Sequence, residues 1–273
     1  MKMMPIIQLT FRESLAKKTF IAFFAISTLV CLLFIFALNL DIVDGAKSSI
    51  SLFGIESTQQ VEISEVITVI EGAVAVLLFT GGIFMSLFAT SNLIPTLLHP
   101  GFIDLFISKP VSRLEILCGR ILGSITIVAF NVFYLILFTW IIISLKTGLW
   151  NWGFLLAGIM IVLTFLILFS LMTFLGIITG SGPFSLMITY LILFFSPLLI
   201  ERNQIYALLS SKFYGTLIDG LYYFLPKTTE LGNITQRLVR GIPVGSWMPA
   251  WSSVLFAVFM IVISIFIFSK KDF

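Results

Sequence analysis

Side chains able to do chemistry are scarce in this chain of 273 residues, and the densest group of them falls between His99 and Arg120. Asp104, Lys109, Arg113, Glu115 and Arg120 mix both signs of charge there, a pattern suited to recognising another surface rather than to making or breaking bonds. Covalent chemistry lacks parts. His99 is the one histidine, so neither a zinc box nor a Ser/His dyad can be assembled, and Cys31 and Cys118, in or beside apolar segments, form no disulfide framework or metal knuckle. No lysine follows a glycine, so the Gly-Lys pair that closes a Walker A loop is absent. Gly180-Ser181-Gly182 reads as a turn, not a nucleophile elbow, and Met85, Met160, Met172, Met187 and Met260 read as packing residues rather than copper ligands. The expectation is a chain that is no enzyme, with no catalytic residue, no metal site and no cofactor of its own.

The elements that carry these residues follow from composition. Apolar residues make up 59% of the chain and charged residues 11%, with 29 Phe; soluble domains carry about 25% charged residues. Most of the exterior must therefore face a bilayer. A net charge of +3 without a basic run argues against nucleic acid. An ionised group at the centre of a lipid-facing helix costs about 2.5 to 3.5 kcal/mol, so charge-free intervals mark the spans. They run over 19–40, 72–103, 121–145, 147–200 and 241–269. The fourth is too long for one crossing of a hydrocarbon core about 30 Å thick, and Thr179–Pro183 supplies the turn that divides it. The prediction is an all-α integral membrane protein forming one domain over 1–273, with spans at about 19–40, 73–97, 121–145, 153–178, 184–200 and 248–268.

With both termini cytoplasmic, inner segments hold nine of the sixteen basic residues, including Lys17, Lys18, Lys109, Arg113, Arg120 and Lys271. The outer loop over 201–247 carries basic residues as well, so a five-span arrangement with that loop inside stays open. Within it, 217–225 reads as an interfacial or partly re-entrant helix stopped by Pro226, and Trp247 and Trp251 read as interface anchors. The span interiors hold no ionisable residue, Asn131 being the most conspicuous polar group, which argues against a proton- or sodium-driven carrier.

Residues 5–18 predict an amphipathic interfacial helix with Ile7, Phe11 and Leu15 as its apolar stripe, or else a basic flank that orients the first span. The segment 99–120 is more telling. Phe102 to Ile107 form a short apolar helix bearing Asp104; Lys109-Pro110 breaks it; Ser112-Arg113-Leu114-Glu115 is a capping box that opens the next helix. Phe102, Leu105 and Phe106, rimmed by Asp104, Lys109 and Arg113, make either a docking knob or a lipid contact. Gly119-x-x-x-Gly123 and Gly176-x-x-x-Gly180 are read as close helix packing within the protomer rather than as a dimer seam.

Lys109-Pro110-Val111-Ser112-Arg113, followed by Glu115, Gly119, Arg120 and Gly123, resembles the segment between the second and third helices of ABC-2 type transporter permeases, particularly those of multi-copper enzyme (nitrous oxide reductase) maturation. The layout of six spans, interfacial N-terminal helix and larger outer loop is similar across the whole chain. The resemblance implies a permease subunit in the plasma membrane of a prokaryote, paired with a second permease copy as a homodimer or heterodimer. It also implies a separate ATP-binding subunit that holds ATP and Mg. The coupling helix over 99–120 would dock that ATPase, with Phe102, Asp104, Leu105 and Phe106 in or beside the knob and Lys109, Pro110, Ser112, Arg113 and Glu115 shaping the turn. Expected functions are export or transmembrane signalling, the latter to an extracytoplasmic partner protein. The alternatives are a non-transporting scaffold and, third, a secondary transporter.

Overall fold

The computed structural model describes residues 3–16, 18–43, 47–52, 55–56, 61–98, 112–201 and 212–271. The chain is helical through its apolar mass. Helices α1 (Met3–Ala16) and α2 (Lys18–Ala37) are followed by short antiparallel strands, β1 (Leu38–Val43) and β2 (Lys47–Leu52), with β3 (Ile55–Glu56) and β4 (Val61–Glu62) also pairing to β2. Next come α3 (Ile63–Leu77), a π-helical turn over Leu78–Gly82, α4 (Ile83–Thr90) and a 3-10 turn over Pro95–Leu98. The remaining helices are α5 (Arg113–Thr147), α6 (Trp152–Thr179), α7 (Gly182–Ile200), α8 (Lys212–Phe224), α9 (Thr228–Val239) and α10 (Met248–Lys270).

Among the described residues five helical stretches are long and apolar enough to cross a membrane: Ser64–Leu98, Arg113–Thr147, Trp152–Thr179, Gly182–Ile200 and Met248–Lys270. The pair α1–α2, whose arms Met4–Leu15 and Phe20–Leu33 meet at 71°, makes a sixth only if the two arms count as one span. This is a multi-pass membrane protein. Three sequence expectations change. The second span begins near residue 64, not 73, which brings Glu71 inside the helix, and the third begins at Arg113, not 121, which brings in Arg120. Counting charges as boundaries placed both ends too late, because each of these charges is buried against protein instead of facing lipid. The third change lies between 226 and 247, where the chain is not merely an outer loop. Helix α9 packs on α6, α3, α7 and α10 with Leu231, Ile234 and Val239 buried, and its 12 residues, about 18 Å, are too few to cross.

Local chemistry fixes the helix ends. Gly148 (φ 75°) and Gly180 (φ 66°) stop α5 and α6 in the left-handed region, where a Cβ would be penalised. Asn151 caps α6, its Oδ1 accepting from the Gly153 amide at 3.0 Å, and Ser181 caps α7 with Pro183 in the first turn. Helix α6 is the hub. Apolar all round, it buries Phe154, Ile161, Phe165, Leu168 and Phe169 and touches α3, α4, α5, α7, α9 and α10. Polar side chains also link helices. Ser27 donates to Asn131 Oδ1 across α2 and α5 (3.2 Å), and the Tyr190 hydroxyl of α7 donates to the Phe84 carbonyl of α4 (2.6 Å).

The two described ends of the chain meet at one end of the bundle. Arg113 at the start of α5 donates to the Lys271 carbonyl just past α10, while α1 packs on α5. The end of α9 lies at the other end, where Asn151 before α6 donates to the Val239 carbonyl.

Candidate docking site

The capping box forms as expected. Ser112 takes extended backbone (φ −74°, ψ 151°), its Oγ accepts from the Glu115 amide at 3.2 Å, and its own amide donates to Glu115 Oε2 at 2.9 Å. Helix α5 therefore starts within one turn of the segment 99–111 that precedes it. Of the predicted site residues, Ser112, Arg113 and Glu115 come together here; Phe102, Asp104, Leu105, Phe106, Lys109 and Pro110 lie outside the described residues.

Behind the cap, the first turns of α5 are fastened to two other helices, α10 and α1. Arg113 Nη1 donates to the Lys271 carbonyl at 2.7 Å and to the Ser269 carbonyl at 3.3 Å, so a guanidinium serves acceptors that the end of α10 leaves without intrahelical donors. Lys271 Nζ in turn donates to the Ile177 carbonyl near the end of α6 (2.6 Å). On the other side of α5, the Arg120 side chain has 0% exposure and pairs with the Glu13 carboxylate of α1, itself 30% exposed. Removing one member of a buried pair typically costs about 3 to 5 kcal/mol, because the other charge is left in a dry site.

Gly119 and Gly123 explain how α1 comes so close. A Cβ on Gly119 would stand 2.8 Å from Ile6 Cγ2, and one on Gly123 would stand 2.7 Å from Thr10 Cβ. The glycine pair is thus a seat for α1 of the same chain. It also corrects the predicted stripe. Ile6, Thr10 and Ser14 are the buried face of α1, one residue earlier than Ile7, Phe11 and Leu15, of which Leu15 is exposed. Small and hydroxyl-bearing side chains face protein while larger apolar ones face outward, as expected when the surroundings are lipid. Gly176 likewise packs inside the chain, against Pro95, with 3.4 Å from its would-be Cβ to Pro95 Cγ.

No protein-family model matches the chain, and no curated protein matches it in sequence.

The opposite end carries a second polar group that the sequence did not point to. Glu71, buried in α3, accepts from Asn151 Nδ2 at 2.6 Å, and the same amide nitrogen donates to the Val239 carbonyl that ends α9, at 2.8 Å. Trp140 Nε1 donates to the Asn151 carbonyl at 2.9 Å. One asparagine thus latches α3, α6 and α9 together. Gly153 completes the latch, since a Cβ there would meet the Leu238 carbonyl oxygen at 2.0 Å. The signal for Glu71 was its place one residue before a charge-free interval; α9 gave little, its polar residues masking a short apolar face. Met160 and Met260 pack in the apolar cluster joining α6, α9 and α10. Among the described residues no group of three or more His, Cys, Asp or Glu side chains converges as metal ligands would.

Proposed function

We propose that the chain is the membrane-spanning subunit of an ABC-2 type transporter, with the end that holds both termini in the cytoplasm and residues 99–111 docking a separate ATPase. What carries the proposal is the bracing of α5 directly behind that segment. A docking element can transmit force only if the helix it feeds does not slip, and α5 is capped at Ser112, ion-paired at Arg120, seated on α1 through Gly119 and Gly123, and tied through Arg113 to the end of α10. Its 35 residues, about 52 Å, reach without a break from that end to the Asn151 latch at the other.

In this scheme nucleotide-driven closure of the ATPases pushes on 99–111. The push moves α5 with α1 as one body and is felt at the latch among α3, α6 and α9. The chain supplies the lever and the path, and the partner supplies the hydrolysis. A second copy or a similar permease completes the assembly, and its work is export or signalling across the membrane.

The test is mass spectrometry of everything that co-purifies with the chain, tagged at its C-terminus and gently solubilised from its native membrane. The expected result is a Walker-motif ATPase at about one copy per chain, as the symmetry of two-motor assemblies requires. A preparation free of any nucleotidase would replace the transporter by a scaffold that anchors a partner.

A further inference from the structure

Away from the docking end, the π-helical turn over Leu78–Gly82 opens a cleft between α3–α4, α7 and α9. Such a turn widens a helix by one residue and is often found where a helix serves a ligand. The cleft holds about 520 Å³, inside the range of roughly 300 to 1,000 Å³ typical of small-molecule sites. Its walls are divided. Phe79, Phe84, Leu193 and Phe194 form an apolar wall, whereas Thr229 and Gln236 of α9 contribute polar groups.

Gln236 also borders a second, polar cavity of about 950 Å³ between the first turns of α3 and the end of α9, where Ser64, Thr68, Glu65 and Arg240 stand. Its amide holds the boundary by donating to the Gly72 carbonyl at 3.2 Å. From Gly72 to Phe84 the helix descends about 18 Å. Trp150, exposed just before α6, lines a neighbouring cavity that shares Ser64, Thr68 and Arg240 with this one, and an exposed tryptophan there suits a membrane interface. An apolar slot and a polar vestibule thus meet at Gln236, the residue common to both linings. Glu65 and Arg240 are both exposed in the vestibule, and among the described residues neither is engaged in an ion pair.

The geometry points to a binding site for one zwitterionic phospholipid. Its acyl chain fills the slot beside the π turn, its phosphate faces Arg240, and its ammonium faces Glu65. The charges decide the head, since a purely anionic one would meet Glu65 and a neutral one would leave both groups unused. The site stands on the cleft alone and goes beyond the docking proposal, which can fail without touching it.

Gly81 provides the test, because it lines the slot and a Cβ there would have nothing within 4 Å. Gly81→Phe fills the slot without forcing the helix, and Gly81→Ala is the control. The full chain is reconstituted in vesicles doped with phosphatidylethanolamine bearing a photoactivatable acyl chain, and labelled peptides are mapped. Labelling is expected to concentrate on 79–84 and 193–197 and to fall about tenfold in Gly81→Phe, the equivalent of about 1.4 kcal/mol, with Gly81→Ala unchanged. The same probe built on diacylglycerol, without a charged head, is expected to label the slot weakly. Glu65→Gln with Arg240→Gln should bring phosphatidylethanolamine down to that level. Labelling spread evenly over outward residues such as Val258 and Phe259 and indifferent to Gly81→Phe would mean bulk lipid only. Equal labelling by the two probes would mean that the head is not read. Either result overturns the proposal.

Discussion

Glycine is used in opposite ways at the two ends of the bundle. At the end that holds both termini, Gly119 and Gly123 are filled from outside: Ile6 and Thr10 of α1 occupy the space their side chains would take, at 2.8 and 2.7 Å. On the other side of the molecule, Gly81 faces a cleft in which nothing comes within 4 Å of a Cβ. Charge follows the same division. Arg120 is fully buried against Glu13, whereas Glu65 and Arg240 stand exposed around a cavity. The first arrangement gives up space to bring two helices into close contact, and the second leaves space open. A lever needs the former and a ligand site needs the latter.

The largest effect that can break this contrast is expected from Arg120→Ala. Loss of Arg120 leaves the Glu13 carboxylate without its partner and should destabilise the α1–α5 seat by about 3 kcal/mol, the low end of the usual range because Glu13 is partly exposed. Thermal unfolding in detergent checks it, with unaltered membrane insertion as the control; a change below about 1 kcal/mol, the worth of a surface pair, would mean that the pair does not brace α5. Next comes Gly123→Leu, which overpacks the seat at a cost of about 1 to 3 kcal/mol and should push α1 off α5. Disulfide formation between cysteines placed at Ile6 and Gly119 reports the distance and should fall when Gly123 carries Leu. At the other end, Asn151→Ala removes the donor shared by Glu71 and Val239 and should cost about 1 to 3 kcal/mol. Its signature is faster proteolysis within 226–247, with the α1 seat unaffected. Ser112→Ala, which loses the cap of α5, is expected to cost about 1 kcal/mol. It should be seen as faster amide exchange confined to the first turn of that helix.

How far these features could be read from sequence depends on what each residue faces. The spans were legible because lipid tolerates few charges: five of the predicted stretches fall within helical stretches long and apolar enough to cross, while the first, 19–40, is helical only as far as Ala37. The capping box was legible because its two residues sit at fixed spacing beside a proline. The face of α1 was legible in period but not in phase. An apolar stripe marks the buried side of a helix in water, whereas beside lipid the side that packs on protein carries Thr10 and Ser14. Glu71 and Arg120 were taken as the limits of spans because their partners, Asn151 and Glu13, lie 80 and 107 residues away. No local pattern announces such a pair. Helix α9 was hidden for a related reason, since a short amphipathic stretch reads as loop until α6 and α3 supply its other surface.

The most direct test of the account places a photo-crosslinking amino acid at position 106 of the full chain in its native membrane. Capture of an ATP-hydrolysing protein at 106 is expected, retained when the same chain carries Gly81→Phe and lost when Phe102 and Leu105 are both changed to Asp. Failure to capture any nucleotide-binding protein at 106, while one still co-purifies with the chain, would contradict it.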